Sequence, residues 1–242
     1  MSISLSGYTG IKIGEIHTLD DWGLLLLSVE IPYPEPKIKT VELLGGDGVI
    51  DLTDAMGGVK FSNRTLSFGF VLLDKNPRLW TEMVSKMRNY CHGKKMQIVM
   101  DTDPSHYWEG RCYVNSTKED QIHSTVTVQV DAFPYKYDVL SSNDPWLWDP
   151  FSFVSGAIRT IDDITLTGAD IKIMIPAGNM PIVPIFYVSN IGQNISVSYK
   201  SREFELKEGA NRIPQIIIGV EETELIFSGK GTVRVSYRGG SL

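Results

Sequence analysis

A chain of 242 residues with 42% hydrophobic and 21% charged residues has ordinary globular composition, enough for one large core or two modest ones. The formal charge of -6 is spread evenly, with 14 Lys+Arg against 18 Asp+Glu in residues 1–139 and 9 against 11 in residues 140–242, so neither half offers the basic face that nucleic-acid binding needs. The apolar run Leu24 to Leu27 is too short to span a bilayer, and Cys91 and Cys112 alone cannot build a disulfide framework, which fits a protein folded in a reducing compartment.

The opening "MSISLSGYTG" lacks a positive n-region and an apolar h-region and does not read as a secretory signal. Short strands are expected at "IKIGEIH" and "KIKTVELL". Between Leu43 and Val59, "LLGGDGVIDLTDAMGGV" packs five glycines and three aspartates into seventeen residues. Glycine-rich loops can cradle phosphate and spaced aspartates can hold a metal, but the spacing here serves neither. No Gly-Lys-Ser/Thr follows at the distance a phosphate loop requires, since Lys60 comes after Val59. A calcium loop begun at Asp47 would have Val49 at its third position and Leu52 where its glycine belongs, although Asp51 suits the fifth. The stretch is expected to be turns at Gly45, Gly46 and Gly48, a short extended piece "VIDLT", and another turn at Gly57 and Gly58.

"TLSFGFVLLD" then alternates, with Leu66, Phe68, Phe70 and Leu72 apolar at every second position, as do Val126, Val128, Val130 and Ala132 in "STVTVQVDAF". This is the pattern of half-buried antiparallel strands. Between them the period changes. In "NPRLWTEMVSKMRNYCHG", Leu79, Trp80, Met83, Val84, Met87 and Cys91 fall three and four apart, with Asn76 as N-cap, Pro77 at the first helical position and Gly93 past the end. The spacing predicts one amphipathic helix over 76–92 whose stripe lies on a sheet. "KMQIVM" and "WEGRCYV" read as strands joined by a turn at "DTDPS". Asp101, Asp103, His106 and Glu109 crowd this turn, as an acid/base or metal site would require, yet Asp and Pro favour turns for local backbone reasons. A hydrolase using Asp101, His106 and Glu109 is one reading to test. His17, His92 and His123 have no Cys or His at ligand spacing, and no catalytic signature motif occurs, so no metal, cofactor or catalytic residue is assigned.

"SSNDPWLWDPFSF", Ser141 to Phe153, is rich in turn residues and marks a boundary. Trp146 and Trp148 within it either pin two domains together or form an exposed partner anchor. After it come only strand patterns: "IKIMI", "IVPIFYVS", "ISVSYK", "RIPQIIIGV", "TELIFS" and "TVRVSYR". The fold class is mainly β, with an α+β domain at 1–138, a connector at 139–149 and a β-sandwich at 150–242. Where "GTVRVSYRG" pairs is left open. A carbohydrate-binding role for the sandwich lacks indole faces, because all five tryptophans precede residue 150, and leaves only Tyr187, Tyr199 and Tyr237 for stacking.

The order of these features resembles the distal tail (Dit) proteins of long-tailed phages. The likeness rests on "GDGVIDLTDAMGGVKFSNRTLSFGFVLLD", the helix Asn76 to His92, "HGKKMQIVMDTDPSHYWEGRCYV", the exit "VQVDAFPYKY", and "GNMPIVPIFYVSNIGQNISVSYKSREFEL" through "GTVRVSYRGGSL". The resemblance implies a tail-tube-like N-terminal domain that closes into a homohexameric ring and a galectin-like C-terminal sandwich projecting outward. It further implies a non-enzymatic place at the virion tail tip. Its partners would be the tail tube protein, the tail-associated adhesion or lysin protein and receptor-binding proteins, with DNA passing through the lumen unbound and no membrane or cofactor involved. On that reading Gly48, Asp51, Asp54 and Gly57 are candidate subunit contacts, and Trp146 and Trp148 candidate partner contacts. A carbohydrate-binding module of an adhesin is the alternative.

Overall fold

The computed structural model describes residues 9–56, 58–72, 77–118, 124–142 and 163–242. The chain divides into two units, one of residues 1–103 and 107–134, the other of 104–106 and 135–242. The first runs β1 (Ile11–Ile13), β2 (Ile16–His17), β3 (Leu24–Glu30), β4 (Thr40–Glu42), β5 (Val49–Asp51), β6 (Arg64–Leu72), α1 (Pro77–Cys91), β7 (Lys95–Met100), β8 (Asp103–Lys118) and β9 (Ser124–Ala132). Its main sheet is antiparallel with the order β2-β1-β7-β8-β9-β6-β3.

Register turns the sequence alternation into one apolar face. Leu66 stands opposite Val130, Phe68 opposite Val128 and Phe70 opposite Val126, while Cys112 faces Val130 from the other side. Directly paired residues project to the same face, and all of these are buried. The neighbouring positions Thr65, Ser67, Thr125, Thr127 and Gln129 take the opposite, polar side. Such a face must be covered, and Trp80, Val84, Met87 and Cys91 of α1 join the same buried cluster. The helical stripe fades at one margin: Met83 packs half-buried against the core and Leu79 stays 40% exposed. Gly93, at φ 74°, stops the helix in the left-handed conformation that a residue without Cβ adopts most easily. The expected N-cap Asn76 lies outside the described residues.

Two local readings change. "IKIGEIH" is a hairpin, β1 and β2, folded at Gly14 with φ 59°, where a Cβ would press on the Tyr90 hydroxyl. The leucine run at Leu24, read only as too short for a membrane, starts edge strand β3, whose register shifts between Leu26 and Ser28.

The second unit contains β10 (Lys136–Asp138), β11 (Ile164–Thr167), β12 (Ile171–Ile175), β13 (Ile185–Tyr199), β14 (Arg202–Leu206), β15 (Gly209–Arg212), β16 (Thr223–Ser236) and β17 (Gly240–Ser241). "IVPIFYVS" and "ISVSYK" merge into β13, and "TELIFS" and "TVRVSYR" into β16. These two long strands pair along most of their length with register shifts between Ser189 and Ser196. One half of the pair carries β11 and β15, the other β12 and β14. Phe186 of the first half and Phe227 of the second meet edge to face at 5.9 Å, so the sheet bends until its halves share a core. Gly229 and Gly231, at φ 115° and 152°, make the bend possible, and a Cβ at Gly229 would run into the Asn194 carbonyl. "RIPQIIIGV" is not a strand beyond Arg212; Pro214 interrupts it, and Ile216 and Ile218 reach the core from irregular chain held by the Ile182–Ile218 bridge. The chain's end leaves the bent sheet: β17 pairs with β10, and Ser142 Oγ donates to the Val235 carbonyl and accepts from the Tyr237 amide.

Gly229→Ala is expected to cost at least about 1 kcal/mol, because the residue would need both a positive φ and the space of a carbonyl; the midpoint of urea unfolding reads this. Burial pushes the thiols of Cys91 and Cys112 up to about 11 and about 12. Both are expected to resist a chromogenic aryl disulfide at pH 8 in the native protein and to react fully in denaturant.

Candidate assembly surface

Between β3 and β6 the chain leaves the main sheet as an arm. Its base is tied by the Pro36–Phe61 bridge and by the Lys37 amide donating to the Lys60 carbonyl at 2.7 Å and the Ser62 amide to Glu35 at 2.8 Å. Further out, β4 and β5 form a separate two-stranded ladder pairing Thr40 with Asp51, Val41 with Ile50 and Glu42 with Val49. The turn at the tip is Leu43–Gly48, with Gly45 and Gly48 at φ 82° and 78°. Gly48, Asp51 and Asp54 are therefore brought together on one projection, all exposed. Gly57, Trp146 and Trp148 lie outside the described residues.

Asp51 has a local task. Its Oδ1 accepts the Thr53 amide at 2.8 Å, and the Thr53 hydroxyl accepts the Lys39 amide at 3.1 Å, which turns the chain out of β5 into a short 3-10 segment at Thr53–Met56. The Thr53 hydrogen bonds hold the Asp51 carboxyl below its ordinary value.

What the glycine pattern concealed is how apolar the arm is. Leu44 is fully exposed, Tyr33 is 90% exposed and Ile38 68%, and Val41, Leu43, Val49 and Ile50 are also open to solvent. Several exposed apolar side chains on one hairpin form the kind of surface found at interaction sites. The sequence held a signal for it: from Thr40 to Val59 there is no Lys or Arg, while apolar residues alternate with Glu42, Asp47, Asp51 and Asp54.

The acidic turn scatters instead of converging. Asp101 accepts the Gly10 amide at 2.6 Å and sits 3.0 Å from His17 Nε2. His17 Nδ1 accepts the Asp20 amide, which leaves Nε2 to donate to Asp101. Glu109 pairs with Lys95, and His106 lies 3.4 Å from Asp138 and 3.1 Å from Ser105 Oγ. Asp101, His106 and Glu109 therefore have different partners. No group of three or more His, Cys, Asp or Glu placed to hold a metal occurs among the described residues. A buried cation that the sequence did not flag is Arg64, which stacks 4.0 Å from the Trp108 ring and donates to the Pro32 carbonyl at 3.2 Å at the arm's root. Burial lowers its pKa.

No family model matches the chain, and no curated protein matches it. A search of solved structures finds the crystal structure of the SPP1 Dit protein (gp 19.1), described as a paradigm of the hub adsorption apparatus in phages that infect Gram-positive bacteria. The match covers 95% of this chain and 98% of that one, with a TM-score of 0.62 and 13% identity. The fold is that of the Dit protein. At this identity the likeness lies in the order and pairing of elements, across both units of the Dit fold, and not in shared side chains. Among the described residues no helix is long and apolar enough to cross a membrane.

The depressed Asp51 pKa makes the arm's turn sensitive to acid. Because the folded value lies below the unfolded one, the stabilisation is complete above the unfolded value and is lost as pH falls through the folded value. Faster amide exchange at Thr53 in that acid window, absent in Asp51→Asn, which has already lost the charge, is the expected result.

Proposed function

We propose that this chain is a structural subunit of a phage tail tip. The observation that carries this reading is the likeness to SPP1 Dit over nearly the full length of both chains. Six copies close into a ring through domain 1–138, with the segment 139–149 as connector and a galectin-like domain, 150–242, facing outward. The ring joins the tail tube to the tail-associated protein and the receptor-binding apparatus, and DNA traverses its lumen. The net charge of -6 supports this, since an uncharged or acidic channel does not retain DNA as a cationic one would. The exposed arm supports it as well, and so do the open edges of the first unit's sheet at β2 and β3, which end the pairing order among the described residues. The role is non-enzymatic, a reading supported by the dispersal of Asp101, His106 and Glu109 to separate partners.

The second reading, a carbohydrate-binding module, draws on an open cleft of about 780 Å³ in the second unit, where Tyr199, Lys200, Gln215 and Glu222 stand over Ile217 and Ile226. Glycan binding lost in Lys200→Ala and Gln215→Ala would favour it.

Light scattering and negative-stain imaging of the purified chain test the first reading. A sixfold ring is expected, and a strictly monomeric species at high concentration counts against it.

A further inference from the structure

His17 joins stretches of the first unit that are far apart in sequence. It ends the β1–β2 hairpin, and its ring lies on the backbone of Gly10, where a Cβ would stand 2.7 Å from Cε1. Its Nε2 is 3.0 Å from Asp101 Oδ1, and the other oxygen of that carboxylate accepts the Gly10 amide at 2.6 Å. On the far side of the ring, Nδ1 is 3.2 Å from the Asp20 amide nitrogen and 3.0 Å from the Asp20 carboxylate. Asp21 accepts the His17 amide at 2.7 Å, and Lys12, opposite His17 across the hairpin, pairs with Glu15. Asp20, Asp21 and Asp101 are thus the carboxylates around the imidazole, which is still 21% exposed and open to protons from solvent.

Nδ1 has two partners within reach on one residue, and they make opposite demands. The Asp20 amide is a donor and needs the Nδ1 lone pair, which the neutral ring offers when its hydrogen is on Nε2. The Asp20 carboxylate is an acceptor and needs a hydrogen on Nδ1 while Nε2 keeps donating to Asp101, which only the imidazolium provides. We propose that His17 is a proton switch: gaining a proton exchanges the Asp20 amide for the Asp20 carboxylate as the partner of Nδ1. On the Asp101 side the partner stays the same, and the hydrogen bond becomes charge-assisted, holding the start of β1 more firmly. The Asp20 side rearranges. The released amide belongs to a turn fixed at both ends, by the Thr18 amide donating to Ile11 and the Leu24 amide donating to Thr18, each at 2.9 Å, so the change is confined to residues 19–23. That turn carries Trp22, which is buried and meets Tyr90 of α1 edge to face at 5.6 Å. A proton at His17 is felt where the turn packs on the helix.

The test is NMR of the full chain between about pH 5 and 8, where histidine changes charge and ordinary carboxylates do not. Long-range nitrogen–proton spectra of the His17 ring are expected to show hydrogen on Nε2 alone at the alkaline end and on both nitrogens at the acid end. The Asp20 amide resonance is expected to move upfield with the same midpoint as the ring, the mark of a lost hydrogen bond, while the Gly10 amide stays hydrogen-bonded. In His17→Asn, whose side chain has no charge to gain, that movement of the Asp20 amide is expected to be lost. An Asp20 amide that stays in place while the ring titrates would overturn the switch. So would a ring carrying its hydrogen on Nδ1 at the alkaline end, or one that stays neutral throughout the range.

Discussion

A sheet with one apolar face must have that face covered, and in the first unit α1 does it. Leu66, Phe68 and Phe70 of β6 and Val126, Val128 and Val130 of β9 form the floor, and Trp80, Val84, Met87 and Cys91 of α1 form the lid. Much else in the unit answers to this packing. The helix falls in sequence between β6 and β7, two strands that β8 and β9 separate in the sheet. At its margin Leu79 stays exposed, and with Trp22, Leu72 and the half-buried Met83 it lines an apolar recess. The reverse side of the sheet, lined by Thr65, Ser67, Thr127 and Gln129, is left polar and uncovered.

The second unit solves the same problem without a helix among its described residues. Its apolar face is covered by the sheet's own continuation, because β13 and β16 bend far enough for Phe186 and Phe227 to touch. The bend depends on backbone that most residues would refuse: Gly229 and Gly231 hold large positive φ angles, Asn190 takes φ 56°, and the register slips across Ser189 to Ser196. Alternation survives on both sides of it, with Val188 and Ile195 in β13, and Phe227 and Val233 in β16, all facing inward. An exposed bidentate pair, Arg234 with Asp163, fastens the margin next to β11, and the hydrogen bonds from Arg234 lower the Asp163 pKa.

The ionisable groups are spent on local order. Asp51 shapes the arm's turn, Asp101 and His17 tie the start of β1 at Gly10, and Arg64 lies flat on Trp108 beneath the arm.

The sequence by itself determined the class of the fold and its local elements. Period-two runs at Leu66 and Val126 and the three-four spacing from Leu79 to Cys91 are consequences of backbone geometry, so they are readable wherever one face is buried. It also excluded phosphate and calcium from the glycine-aspartate stretch, since those chemistries demand fixed spacings. Only the tertiary structure decided that the same stretch is a projecting arm, that "IVPIFYVS" and "ISVSYK" are one strand, and that the last residues return to Lys136–Asp138. A glycine between two strand patterns reads locally as an end, and it becomes a bend only if a distant partner continues the ladder through it. Whether Leu44 or Leu79 is covered likewise depends on which surfaces meet, and that is set by packing between segments far apart in the chain.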